Sequence, residues 1–283
     1  MTVREQLVVG SRLLAANHPQ EQANLEAQLL LAQALGRPRV WLFSHPDTDV
    51  PSEAASVYTA SLHRRSAGEP LEYILGHSEF YGLNLEVSPA TLVPRPETEV
   101  LVEVALTELA GKTRPLVADV GTGSGAIALA IANNHPTAQL LATDLSFAAV
   151  TLAQRNARAL SLQNRVWLVC CHLLACTNAQ FDLVAANLPY VASHELFGSA
   201  ASVVRFEPRV ALDGGLDGTT LIAELLAAAR TLLAPGGTIL AEIGANQKEQ
   251  VLCLAQEQFP QAQISIMPDL AGRDRLLRIR TKV

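Results

Sequence analysis

The tetrapeptide Asn187-Leu188-Pro189-Tyr190 follows an apolar run, Phe181 to Ala186, of the kind that forms a buried strand. Its residue types suit chemistry on a planar nitrogen. An amide or aromatic amino nitrogen is a poor nucleophile because its lone pair is delocalised. Two acceptors, the side-chain carbonyl of Asn187 and the backbone carbonyl of Leu188, can hold its two hydrogens and aim the lone pair at an electrophile. Pro189 restrains the backbone, and Tyr190 offers a flat face to a flat acceptor group. No strong general base is required, since the nitrogen grows more acidic once alkylated and water can take its proton. The bland alternative is a turn after a strand.

A second constellation lies upstream. Val117-Ala118-Asp119-Val120 runs into Gly121-Thr122-Gly123-Ser124-Gly125 and then the helical texture of Ala126 to Leu129. Glycines at such a strand-to-helix turn allow the backbone to approach a ligand closely. The spacing is Gly-x-Gly-x-Gly rather than the Gly-x-Gly-x-x-Gly of dinucleotide binders. Asp119, just ahead of it, would repel a pyrophosphate and suit a cationic ligand, unless it is a surface turn residue. S-adenosyl-L-methionine, with its ammonium and sulfonium groups, is such a cation, and S-adenosyl-L-homocysteine is then the product. Asp144 ends the next apolar run, 25 residues after Asp119, where its two oxygens could accept both ribose hydroxyls. Its competing role is a helix N-cap, which Ser146 could fill as well.

The elements that must hold these groups follow from periodicity. Apolar runs at Leu116–Val120, Gln139–Thr143, Val166–Cys170, Asp182–Ala186 and Thr238–Ile243 alternate with helical stretches, which predicts a parallel sheet covered on both faces. Gln263–Met267 and Arg275–Arg280 close the chain without a clear helix between them, so the last is expected to run antiparallel. Ahead of the sheet, a helix is expected from about Glu97 to Leu109. The segment from Ser78 to Pro96 has the alternation and the Gly82 punctuation of a hairpin. From Thr2 to about Gly68 the pattern is helical, opening on a Thr2-Val3-Arg4-Glu5 capping box. The expected fold class is therefore α/β, a Rossmann-like seven-stranded sheet with a small N-terminal helical bundle. The expected division is a helical docking domain (1–75), a hairpin linker (76–96) and a catalytic domain (97–283).

Composition sets the outer bounds. The chain has 283 residues, 49% of them hydrophobic and 17% charged, with a mean hydropathy of +0.21, which is enough to bury a large core. A net charge of −6 argues against a protein that coats nucleic acid through a basic field. No apolar run reaches the roughly 18 residues of a membrane span, and the first dozen residues carry Arg4 and Glu5. A soluble cytoplasmic protein, expected as a monomer, follows. Cys170, Cys171, Cys176 and Cys253 form no CxxC pair, so neither a disulfide scaffold nor a metal site is expected.

With these segments in view, the chain resembles the bacterial release factor glutamine methyltransferases, the PrmC or HemK type. The resemblance runs nearly end to end. It rests on Gly68-Glu69-Pro70-Leu71-Glu72-Tyr73-Ile74-Leu75-Gly76, on Glu79-Phe80-Tyr81-Gly82-Leu83, and above all on Val93-Pro94-Arg95-Pro96-Glu97-Thr98-Glu99. Phe206-Glu207-Pro208-Arg209 and Ala211-Leu212-Asp213-Gly214-Gly215-Leu216-Asp217-Gly218 continue it. What the resemblance implies is methyl transfer from S-adenosyl-L-methionine to the side-chain amide of the glutamine in the Gly-Gly-Gln loop of class I peptide chain release factors. In that picture Gly121, Thr122, Gly123, Ser124 and Gly125 cradle the cofactor and Asp144 takes its ribose. Asn187, Leu188, Pro189 and Tyr190 grip the glutamine, and the helical domain docks the release factor.

Two positions depart from the family's pattern. Leu188 replaces the first proline of the usual Asn-Pro-Pro-Tyr, keeping the carbonyl but adding an N–H. Cys171 occupies the place of an acidic residue near the adenine, with His172 beside it as a residue that would border the ring. Arg205, Glu207 and Arg209 form either a substrate rim or a solvated loop with a local ion pair, and Asp213 and Asp217 are expected to shape the glycine-rich turn around Gly214, Gly215 and Gly218. Two rival functions stand beside this one. The first is a nucleic-acid adenine-N6 methyltransferase, with Tyr190 stacked on a flipped base. The second is a retired cofactor-binding adaptor, for which Leu188 and Cys171 would speak.

Overall fold

A computed structural model of the chain describes residues 1–197 and 205–282. The chain folds as two compact units, Met1–Gly76 and His77–Val283.

The first unit is helical. α1 (Val3–Leu14) begins with the capping box: the Glu5 amide donates to Thr2 Oγ1 at 3.3 Å and the Thr2 amide to Glu5 Oε2 at 2.9 Å. α2 (Gln20–Leu35) stops at Gly36, whose φ of +60° gives a left-handed C-cap. α3 (Arg39–Ser44), α4 (Ser52–Ser66) and α5 (Leu71–Leu75) complete the unit. Leu14, Leu30, Leu31, Leu42 and Tyr58 are fully buried between them. Gly10 of α1 lies so close to Tyr58 that a Cβ there would collide with the phenol oxygen, so this helix crossing requires glycine.

The second unit opens with the hairpin β1 (His77–Phe80) and β2 (Leu83–Glu86). Tyr81 (φ +49°) and Gly82 (φ +72°) form its turn, the pair of left-handed residues a two-residue hairpin demands. The strands alternate inward and outward residues, and Phe80, Leu83 and Leu85 pack into the core of the sheet domain. The segment that the sequence suggests as a linker is thus one wall of the second unit, fastened by Arg155 to Glu86 at 2.8 Å and by Asn156 to the Glu86 backbone.

α6 (Glu99–Leu109), preceded by a 3-10 turn at Pro96–Thr98, leads into the sheet. β3 (Leu116–Val120), α7 (Ala126–Asn134), β4 (Gln139–Asp144), α8 (Phe147–Ala159), β5 (Val166–Cys170) and β6 (Phe181–Ala186) follow. α9 (Thr220–Leu232), β7 (Leu233–Glu242), α10 (Lys248–Gln258), β8 (Gln263–Pro268) and β9 (Asp274–Arg280) finish the chain. The strand order is β5-β4-β3-β6-β7-β9-β8. The first five run parallel, while β9 pairs antiparallel with both β7 and β8. This is the seven-stranded α/β sheet the alternation implies, with the expected reversal at the end.

Because both faces are covered, the central strands carry no polar side. Val117, Ala118 and Val120 of β3 and Leu183 to Ala186 of β6 are all fully buried. Two apolar layers result, one around α7 and the hairpin and one around α9 and α10. The carboxyl ends of β3, β4, β5 and β6 come to one edge. Strand order reverses between β3 and β6, where an open sheet leaves a crevice.

Candidate functional site

The glycine turn after β3 forms the floor of that crevice. Gly121 has φ of +74°, Gly123 +56° and Gly125 +87°, all in the region where a side chain is strained. A Cβ on Gly121 would also lie 3.0 Å from Leu188 Cδ2. The turn is latched from below by Asp119, whose Oδ2 accepts from Thr122 Oγ1 at 2.6 Å and from the Ala128 amide at 3.0 Å. Asp119 is neither a surface residue nor a cleft residue: it is wholly buried under the loop, and burial pushes its carboxyl up to about 6. Its Oδ2 organises the loop, while its Oδ1 is buried without a hydrogen-bond partner among the described residues and leaves a negative charge beneath the glycine turn that suits a cationic ligand above it.

Asp144, by contrast, lines the cleft. Its Oδ2 accepts from the Gly123 amide at 2.9 Å and its Oδ1 from the Ser146 amide at 2.8 Å. Ser146 itself caps α8, accepting from the Ala149 amide at 3.3 Å, so the capping role belongs to it and not to Asp144. Each Asp144 oxygen keeps further lone pairs on a carboxylate already fixed in orientation.

Two clefts meet at this edge. The larger encloses about 790 Å³, counting the space open to solvent at its mouth. It is bounded by Gly121, Gly123, Asp144, Cys171, His172 and Leu188, among others. Thr122, Ser124 and Gly125 lie outside it: Thr122 and Ser124 border the second cleft, and Gly125 caps α7. His172 is half-exposed, with Nε2 3.4 Å from Glu224 Oε2. The Cys171 thiol, pushed up to about 11 mainly by burial, lies 2.8 Å from the Cys176 sulfur. A glycine floor, a fixed carboxylate and an apolar wall suit a nucleoside carrying a cationic tail, and the residues present fit S-adenosyl-L-methionine. The second cleft is bounded by Phe80, Pro94, Arg95, Thr98 and Ile127.

Asn187, Gly121, Gly123 and Leu92 border both clefts, so Asn187 stands between them. Its Nδ2 donates to Thr98 Oγ1 at 3.0 Å, and Thr98 Oγ1 donates to Glu242 Oε2 at 2.7 Å. Leu188 and Pro189 border the larger cleft. Tyr190 borders neither; its hydroxyl donates to Glu242 Oε1 at 3.3 Å, and burial together with that carboxylate pushes the phenol up to about 12. Glu242 is itself buried, which raises its pKa, while Thr98, Arg275 and Tyr190 act in the opposite direction.

The glycine-rich segment expected to be a turn seats the tetrapeptide. A Cβ on Gly214 would lie 2.6 Å from the Pro189 carbonyl, and one on Gly218 would collide with the Tyr190 carbonyl. Asp213 Oδ1 accepts from Ser193 Oγ at 2.5 Å and the Gly215 amide at 3.1 Å, and Asp217 Oδ1 accepts from the Thr219 amide at 3.0 Å. Glu207 is buried rather than a solvated rim residue, accepting from Arg95 Nη2 at 2.6 Å and the Val93 amide at 3.2 Å. Arg209 pairs with Asp213 at 3.3 Å.

Sequence reasoning missed Thr98 and Glu242 as members of the site. Glu242 did leave a signal, as the acid that ends the apolar run Ile239-Leu240-Ala241, since a carboxylate is seldom buried without a partner. Thr98 left none of its own beyond lying in the Pro94-to-Glu99 segment.

Known proteins resemble this chain along most of its length. The family model described as the PrmC N-terminal domain matches residues 5–76, and the one described as the methyltransferase small domain matches residues 96–206. A release factor glutamine methyltransferase of Moorella thermoacetica is 43% identical over 276 residues, covering 97% of this chain and 97% of that protein. One of Bradyrhizobium diazoefficiens is 39% identical, covering 92% and 89%. Among solved structures, the T. thermophilus 16S rRNA N2 G1207 methyltransferase superposes with a TM-score of 0.53 at 19% identity, over 73% of this chain and 50% of that one; at that identity the likeness is one of fold.

Proposed function

This chain belongs to the release factor glutamine methyltransferase family, and from that premise we propose that it methylates the side-chain amide N5 of the glutamine in the Gly-Gly-Gln loop of class I peptide chain release factors, tuning translation termination. The observation that carries the reading is Asn187, an amide standing between the cleft bounded by Asp144 and the glycine turn and a second, smaller one bounded by Thr98.

S-adenosyl-L-methionine, when bound, supplies a methyl group made electrophilic by its positively charged sulfur. The glycine turn would hold its methionine and ribose end, Asp144 would accept from the ribose hydroxyls, and Cys171 and His172 would border the adenine. The glutamine amide enters from the Thr98 side. Asn187 Oδ1 and the Leu188 carbonyl accept its two N–H groups, which turns the nitrogen lone pair toward the larger cleft. Loss of one N–H proton to water completes the change, with no general base among these residues. Tyr190 serves from behind, holding the tetrapeptide through its hydroxyl rather than stacking on the acceptor. Leu188 replaces a proline's restraint with packing, since its side chain is buried against Gly121.

The helical unit, residues 1–75, would dock the release factor, and the hairpin expected to join it to residues 97–283 belongs with the catalytic unit. The protein acts as a cytoplasmic monomer without direct contact to nucleic acid. Among the described residues no helix is long and apolar enough to cross a membrane.

The test is an assay with labelled S-adenosyl-L-methionine, the purified chain, and its own organism's release factors in native and glutamine-to-alanine forms, with total RNA as competitor. Label on the native release factor alone is expected. Label on RNA would replace this reading by an adenine methyltransferase, and cofactor binding without any transfer by an adaptor.

A further inference from the structure

An asparagine amide has nearly the same shape either way round, yet only one orientation does the work assigned to Asn187. With Oδ1 toward the glutamine it accepts an N–H. With Nδ2 there instead, donor faces donor and the acceptor nitrogen is repelled. Some other group must decide which end faces the acceptor.

We propose that Thr98 and Glu242 are positioning residues that fix Asn187 with its carbonyl oxygen toward the acceptor. The inference rests on the Asn187 role given above. Thr98 has one hydroxyl proton. Its Oγ1 lies 2.7 Å from Glu242 Oε2; burial raises that carboxyl's pKa while Thr98, Arg275 and Tyr190 favour its charged form, and in that form it has no proton to give. The Thr98 proton is therefore committed to Glu242, and toward Asn187 the same oxygen acts only as an acceptor. It takes the Asn187 Nδ2 proton at 3.0 Å. Donation runs one way, from Asn187 to Thr98 to Glu242, and leaves Oδ1 as the end that faces the clefts.

The same carboxylate holds the far end of the tetrapeptide. Glu242 Oε1 accepts from the Tyr190 hydroxyl at 3.3 Å, and Gln247 donates to the Tyr190 carbonyl at 2.9 Å. Arg275, whose Nη1 donates to the Ile243 carbonyl at 3.2 Å and lies 3.5 Å from the Tyr190 hydroxyl, supplies positive charge that partly counters the burial of Glu242. Both residues 187 and 190 are thus referred to one buried acid on β7. The wiring spans 89 residues from Thr98 to Asn187 and 144 from Thr98 to Glu242, so it exists only in the folded chain. It also gives the Thr98 position of the Pro94-to-Glu99 segment a task that the cofactor loop does not share.

Three full-length variants test this: Thr98→Ser, which keeps the hydroxyl; Thr98→Val, which keeps the shape without it; and Glu242→Gln, whose amide can donate to Thr98 and let the chain of donation reverse. Methyl transfer to the native release factor gives kcat and KM, and calorimetry with S-adenosyl-L-homocysteine reports the cofactor cleft. Thr98→Ser should stay near wild type. Thr98→Val and Glu242→Gln should each lose at least about tenfold in kcat, with S-adenosyl-L-homocysteine affinity unchanged. Glu242→Gln is close in size and polarity to the original, so it serves if Thr98→Val does not fold. A Thr98→Val or Glu242→Gln enzyme at wild-type kcat overturns the inference. So does a Thr98→Ser enzyme as slow as Thr98→Val, or a loss of kcat matched by an equal loss of S-adenosyl-L-homocysteine affinity. If instead the wild type binds S-adenosyl-L-homocysteine but methylates no release factor, the failure lies in the functional reading on which this inference rests.

Discussion

The cleft on the Asp144 side and the cleft on the Thr98 side share Gly121, Gly123 and Asn187, yet their walls come from different kinds of sequence. On the first side the hydrogen bonds of the two aspartates are local: Asp119 to Thr122 and Ala128, and Asp144 to Ser146 and Gly123, none reaching further than 21 residues along the chain, with His172 to Glu224 as the distant contact. Main-chain amides and a short turn do the positioning. On the second side the partners are Arg95 with Glu207, Thr98 with Glu242, and Tyr190 with Glu242, separated by 112, 144 and 52 residues. A cofactor with a fixed chemical form can be met by a contiguous turn. An acceptor amide that must be oriented needs more: its two N–H groups go to the adjacent Asn187 and Leu188, and the orientation of Asn187 is in turn set by Thr98 and Glu242, which come from other parts of the chain.

The difference can be broken from the acceptor side first. Asn187→Ala should lower the single-turnover rate of methyl transfer by about 10²–10³, the scale of removing one preorganised group at a reacting centre, while S-adenosyl-L-homocysteine binds as before; a parallel loss of that affinity would mean that the two clefts are one.

On the cofactor side the largest effect should be on stability. The Asp119 carboxyl is raised from 3.8 to about 6 in the fold, so the folded state binds that proton more tightly than the unfolded chain. Its contribution is complete below pH 3.8 and is lost as pH rises through about 6, a change of about 3 kcal/mol at about 1.4 kcal/mol per pH unit. Denaturant unfolding of wild type and Asp119→Asn between pH 4 and 7 should show wild type losing ground as pH rises. A flat difference would mean that Asp119 is not held as a buried acid.

Asp144→Ala should weaken S-adenosyl-L-homocysteine binding by about 10- to 100-fold, as expected for charged hydrogen bonds of about 1.5–3 kcal/mol. The KM for release factor should stay near wild type, and an equal rise in that KM would erase the division between the sides. The smallest effect should come from Gly121→Ala, which forces a Cβ into a φ of +74° and against Leu188. It should cost about 1–2 kcal/mol in thermal unfolding. Gly121→Ala combined with Leu188→Ala should not recover wild-type stability, since the backbone strain remains; full recovery would place the whole cost in the contact.

What was legible in the sequence follows the same division. The strands from Leu116 to Ala186, the glycine turn and the carboxylate at Asp144 could be read because each is specified by a contiguous pattern, an apolar run ended by a turn. The hairpin could be read as a hairpin but not as part of the sheet domain, because the burial of Phe80 and Leu85 depends on the sheet domain, α8 included, packing against it. Asp119 could be placed at the loop but not beneath it. One backbone position later its side chain would have pointed to the opposite face, and only the assembled layers decide which face is covered.

The Pro94-to-Glu99 segment marks the boundary most sharply. Arg95 reaches Glu207, Thr98 reaches Glu242 and Asn187, and Glu99 accepts from the Tyr81 amide at 2.8 Å. The sequence by itself determined a parallel α/β sheet and its glycine turn and marked Asn187 as a candidate for amide chemistry, since local hydrogen bonding and periodic burial suffice for these. Only the tertiary structure decided which way that amide faces and which carboxylates are buried. Hydrogen-bond direction and desolvation depend on neighbours that the chain brings together only when β3, β6 and β7 lie side by side.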